Sequence, residues 1–183
     1  SPVLSAQGLQ RSFGAVVAAA DVNIDIRRGE RLCLIGSNGA GKTTFVNMVT
    51  GYLKPDAGHI TLDGQDITPL APRAITHLGV ARSFQIPQLF DGLTVWENLM
   101  TAAVIGDVGR GYSLRRAVSA EHQDACAHFL GELDLWQYRD AMPHGLAGGT
   151  RKLLDIVMAL VAKPRLLLLD EPTSGVSEQE RSR

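Results

Sequence analysis

The chain is poor in cysteine, in aromatic residues and in net charge, and each shortage excludes something. Two cysteines in 183 residues, Cys33 and Cys126, are too few and too far apart for a disulfide framework or a zinc site, as suits a reducing cytoplasm. A formal net charge of −1 leaves none of the basic excess that a nucleic-acid partner normally requires. No apolar run reaches the ~18 residues that span a bilayer. The longest, Ile156 to Leu169, is broken by Lys163-Pro164-Arg165. The first residues carry no signal-peptide pattern, and there is no internal repeat or low-complexity tract. His59, His77, His122, His128 and His144 lack metal-ligand spacing and read as surface residues or satisfied polar groups. What is present is an ordinary globular composition, 45% hydrophobic, with length for one good core and a small appended subdomain.

Against that plain background Gly36-Ser37-Asn38-Gly39-Ala40-Gly41-Lys42-Thr43 fits G-x-x-x-x-G-K-S/T without a mismatch. The flanks suit it. Arg31 to Ile35 reads as a short buried strand, in which Cys33 is a small buried hydrophobe. Thr43 to Leu53 reads as a helix stopped by Lys54-Pro55. Glycines at 36, 39 and 41 allow backbone angles closed to other residues and let main-chain N–H groups approach phosphate oxygens. The helix N-terminus adds about half a positive elementary charge. Lys42 then puts an ammonium on the β- and γ-phosphates, the Thr43 hydroxyl is placed for Mg²⁺, and Thr44 lies beside it. The pattern predicts a bound nucleoside triphosphate.

A second half of the site is written further on. Leu166-Leu167-Leu168-Leu169 predicts a strand buried on both faces of a parallel sheet. Ligands of such sheets sit beyond the carboxyl ends of the strands, so Asp170 is placed to reach the metal held by Thr43. Glu171, one residue on, is placed to polarise or position a water for attack on the γ-phosphate. Before this strand, Gly148-Gly149 opens a run whose apolar positions 153, 154, 156, 157, 160 and 161 recur at helical spacing. That is another helix N-terminus without bulky side chains, and another potential anion site.

The remaining segments give the architecture. Val3–Ala6, Ala15–Val17 and Val22–Ile26 are short strand-like runs, with a turn at Arg27 to Glu30. Gly58–Leu62 and Gln65–Ile67 flank an Asp63-Gly64 turn. Thr94 and Glu97 form a capping box that starts a helix near residue 95, and 95–145 reads as mostly helical with a glycine-rich break at Gly106–Gly111. Trp96 and Trp136 read as core. Arg110, Arg115 and Arg116 form a modest basic patch. The fold class is α/β: a P-loop parallel-sheet core with an N-terminal antiparallel β layer and an inserted α-helical subdomain. Three parts are expected: 1–87 for the β layer and P-loop part of the core, 88–149 for the helical subdomain, and 150–183 for the second helix and the acidic strand.

The order P-loop, Leu146-Ala147-Gly148-Gly149-Thr150, Leu166 to Thr173 resembles the nucleotide-binding domain of ABC transporters, whose signature is Leu-Ser-Gly-Gly-Gln. The likeness runs from about residue 3 to the end. Phe84 to Leu99 is especially similar to the branched-chain amino acid uptake group. The resemblance implies that Phe13 stacks on adenine, that Gln85 is the Q-loop glutamine near the metal, and that Ser174 to Ser177 touches a partner subunit. It also implies ATP and Mg²⁺ as ligands, with Leu146 to Thr150 capping the ATP of a second nucleotide-binding subunit, identical or paralogous. Hydrolysis would drive transmembrane permease subunits docked near Gln85 and 86–98, with a periplasmic binding protein involved indirectly and no nucleic acid. The expected location is peripheral, on the cytoplasmic face of the membrane.

Three departures bear on activity. Ala147 replaces the signature serine and loses a hydroxyl donor, a charged hydrogen bond of about 1.5–3 kcal/mol. Thr150 replaces glutamine, and Ser177 stands where an acidic or amide residue is common. The family's switch histidine lies downstream of Glu171, beyond Arg183, so the expectation is a piece of a longer ATPase with the C-terminal part of its domain missing. Such a piece would bind ATP better than it hydrolyses it. The alternative is a soluble ABC-type ATPase with a nucleic-acid or ribosome partner; the single P-loop and the absence of heptads and cysteine clusters weigh against it.

Overall fold

A computed structural model describes residues 1–35, 41–82, 89–109 and 118–169. The chain divides into two compact units, 1–80 and 81–183. In the first, β1 (Leu4–Phe13), β2 (Val16–Ile26), β3 (Ala57–Leu62) and β4 (Gln65–Asp66) form an antiparallel sheet in the order β2-β1-β3-β4. Leu4, Ala6 and Leu9 of β1, with Ile60 and Leu62 of β3, bury one face. The runs at 15–17 and 22–26, expected to be separate, join into the single strand β2. Asp21 takes a left-handed backbone (φ 51°), and Asn23 accepts the Gly8 N–H at 2.8 Å, which carries the pairing across a break in register. The Asp63-Gly64 turn behaves as expected: both residues have positive φ, 47° and 81°, as a tight primed hairpin requires.

Helix α1 (Lys42–Val49) buries Phe45, Val46, Met48 and Val49, and α2 (Pro72–His77) buries Ile75. The first helix ends earlier than Leu53. The Thr50 hydroxyl donates back to the Val46 carbonyl at 2.7 Å, and Gly51 turns to φ 78°, so the chain has left the helix before Lys54-Pro55. A larger correction concerns Arg31 to Ile35. This stretch is not a strand, its residues are exposed, and Ile35 is 91% exposed. Cys33 is exposed too, not buried. An apolar run becomes a buried strand only when neighbouring strands take up its backbone N–H and carbonyl groups, and among the described residues none is paired with this one.

In the second unit β5 (Val80–Arg82) pairs in parallel with β6 (Leu166–Leu168). Leu166 and Leu168 are buried and Leu167 partly so, but Leu169, expected within the strand, lies beyond it and is exposed. Helices α3 (Val95–Gly109), α4 (Ala120–Glu132) and α5 (Gly148–Val161) share one core of Val95, Leu99, Ala103, Leu130, Leu154 and Val157. Cys126 sits in it, and burial pushes its thiol up to about 11.

The helix starts are closed by side chains. Thr94 N–H donates to Glu97 Oε2 at 2.8 Å and Glu97 N–H to Thr94 Oγ1 at 3.2 Å, the expected capping box. The Thr94 N–H and then its hydroxyl hold the Glu97 carboxyl below its ordinary range. Buried Asn98 ties the preceding loop to α3, accepting from Phe90 N–H and donating to the Phe90, Leu93 and Thr94 carbonyls. At the opposite end, Ser119 and His122 cap α4 reciprocally, while His122 Nε2 lies 2.8 Å from Asp107 of α3 and Lys163 pairs with Glu121. So His122 is the satisfied polar group the sequence suggested.

Two readings in this unit change. Gly106 does not break the helix; it lies inside α3. A Cβ there would meet the Ala162 carbonyl oxygen at 2.6 Å, so glycine serves a close crossing. Trp136 is not core. It is 44% exposed and meets half-buried Trp96 edge-on at 6.2 Å, with the Arg139 guanidinium over both rings. Arg110, Arg115 and Arg116 lie outside the described residues. Among the described residues no helix is long and apolar enough to cross a membrane, and no cluster of His, Cys, Asp or Glu could hold a metal. Gly106→Ala should lower the melting temperature. An alanine gains about 1 kcal/mol over glycine in a helix interior, but forcing apart two backbones costs roughly 1–3 kcal/mol. An unchanged or raised melting temperature would show that the crossing has room.

Candidate functional site

The described part of the P-loop is its last glycine and the helix that follows. Gly41 is the N-cap of α1 with φ 87° and ψ −7°, and its carbonyl accepts the first helical bond, from Phe45 N–H at 2.8 Å. A Cβ at Gly41 would lie 2.3 Å from the Ala18 carbonyl oxygen of β2. The glycine is therefore required twice, once by its left-handed backbone and once by the strand beneath it. Among the described residues no side chain caps this helix end, and no acidic residue stands in its first turn. The positive end of the helix dipole at this glycine-led start suits a phosphate-bearing ligand. Lys42 and Thr44 are half-buried and Thr43 is exposed.

The same unit places Phe13. It ends β1 opposite Val16, and it is 48% exposed, as are its apolar neighbours Val16 and Val17 to a greater degree. Val16 is two residues from Ala18, about 7 Å along a strand. Phe13 and the Ala18 that underlies Gly41 thus belong to the same hairpin. Sequence reasoning missed what lies against the ring: the Arg11 guanidinium, 4.9 Å from its centre. The signal was there, since residues two apart in a strand share a face.

In the second unit the sequence placed the start of α5 correctly, at Gly148. Ala147 is its N-cap, again without a side-chain cap or an acidic residue in the first turn. Ala147 and Gly148 are exposed, Gly149 and Thr150 are buried, and Leu146 packs against the helical core. A Cβ at Gly148 would meet nothing within 4 Å. The expected apolar stripe is only half of the buried face. Leu154, Val157 and Val161 are buried, but so are Lys152 and Asp155, which the periodicity did not reveal. The other residues read from the sequence, Gly36, Ser37, Asn38, Gly39, Ala40, Gln85, Asp170 and Glu171, lie outside the described residues, as do Ser174 to Ser177.

The ABC transporter family pattern matches residues 19–174. The high-affinity branched-chain amino acid transport ATP-binding protein LivG of Escherichia coli K12 is 37% identical over 186 residues, spanning 98% of this chain and 72% of its own length. A probable LivG of Archaeoglobus fulgidus is 36% identical over 182 residues, spanning 96% and 69%. Among solved structures, the ADP conformation of MJ1267, an ATP-binding cassette of an ABC transporter, superposes with a TM-score of 0.76 at 31% identity, covering 100% of this chain and 73% of that one.

The two glycine-led helix starts should respond differently to a methyl group. Gly41→Ala meets a backbone oxygen and an unfavourable φ, a cost of order 1–3 kcal/mol, and should lower the melting temperature measurably. Gly148→Ala enters open space and should stay within about 0.5 kcal/mol of the parent in a urea titration. Equal effects at both sites would mean that the packing of Ala18 under Gly41 does not constrain the loop.

Proposed function

The chain belongs to the ABC transporter family, and from that premise we propose that it is the ATP-hydrolysing subunit of an importer for branched-chain amino acids. The observation that carries the nucleotide reading is the acid-free start of α1, capped by no described side chain and led by a glycine whose left-handed backbone lies against the Ala18 carbonyl. The solute comes from the relatives: LivG of E. coli and LivG of A. fulgidus are both described as branched-chain amino acid transport proteins.

Each residue then has a task. Gly36 to Gly41 are the residues expected to present main-chain N–H groups to the phosphates, and Lys42 neutralises the β- and γ-phosphates. Phe13 offers its exposed face to adenine. Thr43, Gln85 and Asp170 are the oxygen donors that would hold Mg²⁺, a hard cation that would offset phosphate charge. Glu171 orients the attacking water and accepts its proton.

The start of α5, Leu146 to Thr150, faces the ATP of a second nucleotide-binding subunit. With Ala147 in place of serine, the Gly148 and Gly149 amides and the helix dipole carry that contact. ATP held between two subunits favours the closed pair, and hydrolysis removes the bridging γ-phosphate. The shift is limited by the difference in ATP affinity between open and closed states; moving from 1:99 to 99:1 needs about 10⁴-fold. Permease subunits, docked through the 85–98 segment at the cytoplasmic face, convert closure into solute movement, supplied by a periplasmic binding protein.

Lys42→Ala should abolish ATP binding in calorimetry while circular dichroism stays unchanged; retained affinity would refute the P-loop reading. Glu171→Gln, assayed with the membrane partners present, should keep ATP and accumulate a closed dimer on gel filtration. Normal turnover in that variant would assign the water to another residue. Co-purification with permease subunits tests the transport role, and a ribosome or nucleic-acid partner instead would overturn it.

A further inference from the structure

The Arg11 guanidinium lies over the Phe13 ring, and its surroundings hold it there. Arg11 Nη1 donates to Asp56 Oδ1 at 2.7 Å and to the Lys54 carbonyl at 3.3 Å. The other oxygen of Asp56 accepts the Ser12 N–H at 2.8 Å, and Asp56 N–H donates to the Gln10 carbonyl. One carboxylate therefore grips the strand at the residue between Arg11 and Phe13 as well as the arginine itself. Arg11 Nε is buried without a hydrogen-bond partner. That edge of the guanidinium is out of solvent, although the ring beneath it is on the surface.

We propose that Arg11 is a positioning residue for nucleotide binding, backing Phe13 on one face so that the other presents a fixed, electronically tuned platform to a purine base. This rests on the reading of Phe13 as the base-stacking residue. Two effects work together. A planar cation within 6 Å of an aromatic ring is attracted to its negative face and restricts the ring's rotation, so less freedom is lost when a base stacks. The cation also draws π-electron density toward itself, which leaves the far face less repulsive to the electron-rich face of a purine. Asp56 fixes the guanidinium plane through a charge-assisted hydrogen bond. A lysine could supply the charge but not the flat, stacked surface.

The experiment compares ATP with inorganic tripolyphosphate, which has the charge of the phosphate chain and no base, by calorimetry on the parent, Arg11→Met, Arg11→Lys and Phe13→Ala, with the melting temperature of each ligand-free protein recorded. Arg11→Met should weaken ATP roughly two- to fivefold and leave tripolyphosphate unchanged, the scale of one exposed cation–π contact. Arg11→Lys should fall between parent and Arg11→Met for ATP. Phe13→Ala should weaken ATP at least as much as Arg11→Met. Equal losses for ATP and tripolyphosphate would show that Arg11 acts through long-range charge, and would overturn the proposal. If Phe13→Ala weakens ATP but Arg11→Met does not, this inference fails and the base-stacking reading stands. If Phe13→Ala is also without effect, the base-stacking reading itself fails, and the proposal with it. Should Arg11→Met lower the melting temperature, Arg11→Lys, with its retained ion pair to Asp56, supplies the comparison in a folded protein: parent-like ATP affinity there would refute the need for a planar cation.

Discussion

The carbonyl of Ala18 and the backbone of Gly41 lie so close that only a residue without Cβ fits, and that one approach aligns much of the first unit. It brings β2 beneath the start of α1, so that the hairpin carrying Phe13 packs against the helix that carries Lys42, Thr43 and Thr44. Among the described residues no side chain caps that helix start, and its first turn holds no acid. Most helix starts are stabilised by their own side chains. At α1 the described residues supply no such cap.

The second unit contrasts the two ways of ending a helix. The starts of α3 and α4 are sealed by reciprocal capping boxes, Thr94 with Glu97 and Ser119 with His122, and the Val95 and Trp96 N–H groups of α3 donate to the Ala141 and Arg139 carbonyls. The start of α5 has neither cap nor acid, and it is the one that carries the glycine pair. Within one bundle, then, the starts of α3 and α4 are closed by side chains and that of α5 is not. The bundle itself is drawn tight at Gly106 against Ala162, beside the polar clasp of Asp107, His122, Glu121 and Lys163.

The legibility of these features in the sequence follows their range. The capping box at Thr94, the hairpin turn at Asp63-Gly64, the start of α5 and the general β layer were legible because each depends on a few adjacent residues. Phe13, Lys42 and the glycine pair could be named from spacing and family resemblance. Gly106 was misread because a glycine in a helix looks like a break until the opposing backbone is known. The stretch 31–35 was misread for the converse reason: its apolar pattern is that of a strand, but a strand exists only through its neighbours. Lys152 and Asp155 were invisible to periodicity, which sorts residues by polarity and cannot foresee a buried polar pair on a core face.

The sequence alone determined the chemistry: a glycine-rich loop, a lysine and threonine at a helix start, a second glycine-led helix and an acidic strand end, in an order that names a family. Those properties reside in residue type and short spacing, which the chain carries before it folds. Only the tertiary structure decided that Ala18 underlies Gly41, that Arg11 lies on Phe13 with Asp56 holding it, and that Gly106 meets Ala162. These are contacts between backbones and side chains that fold-specific strand register and helix crossing bring within a few ångströms, and no local propensity encodes them.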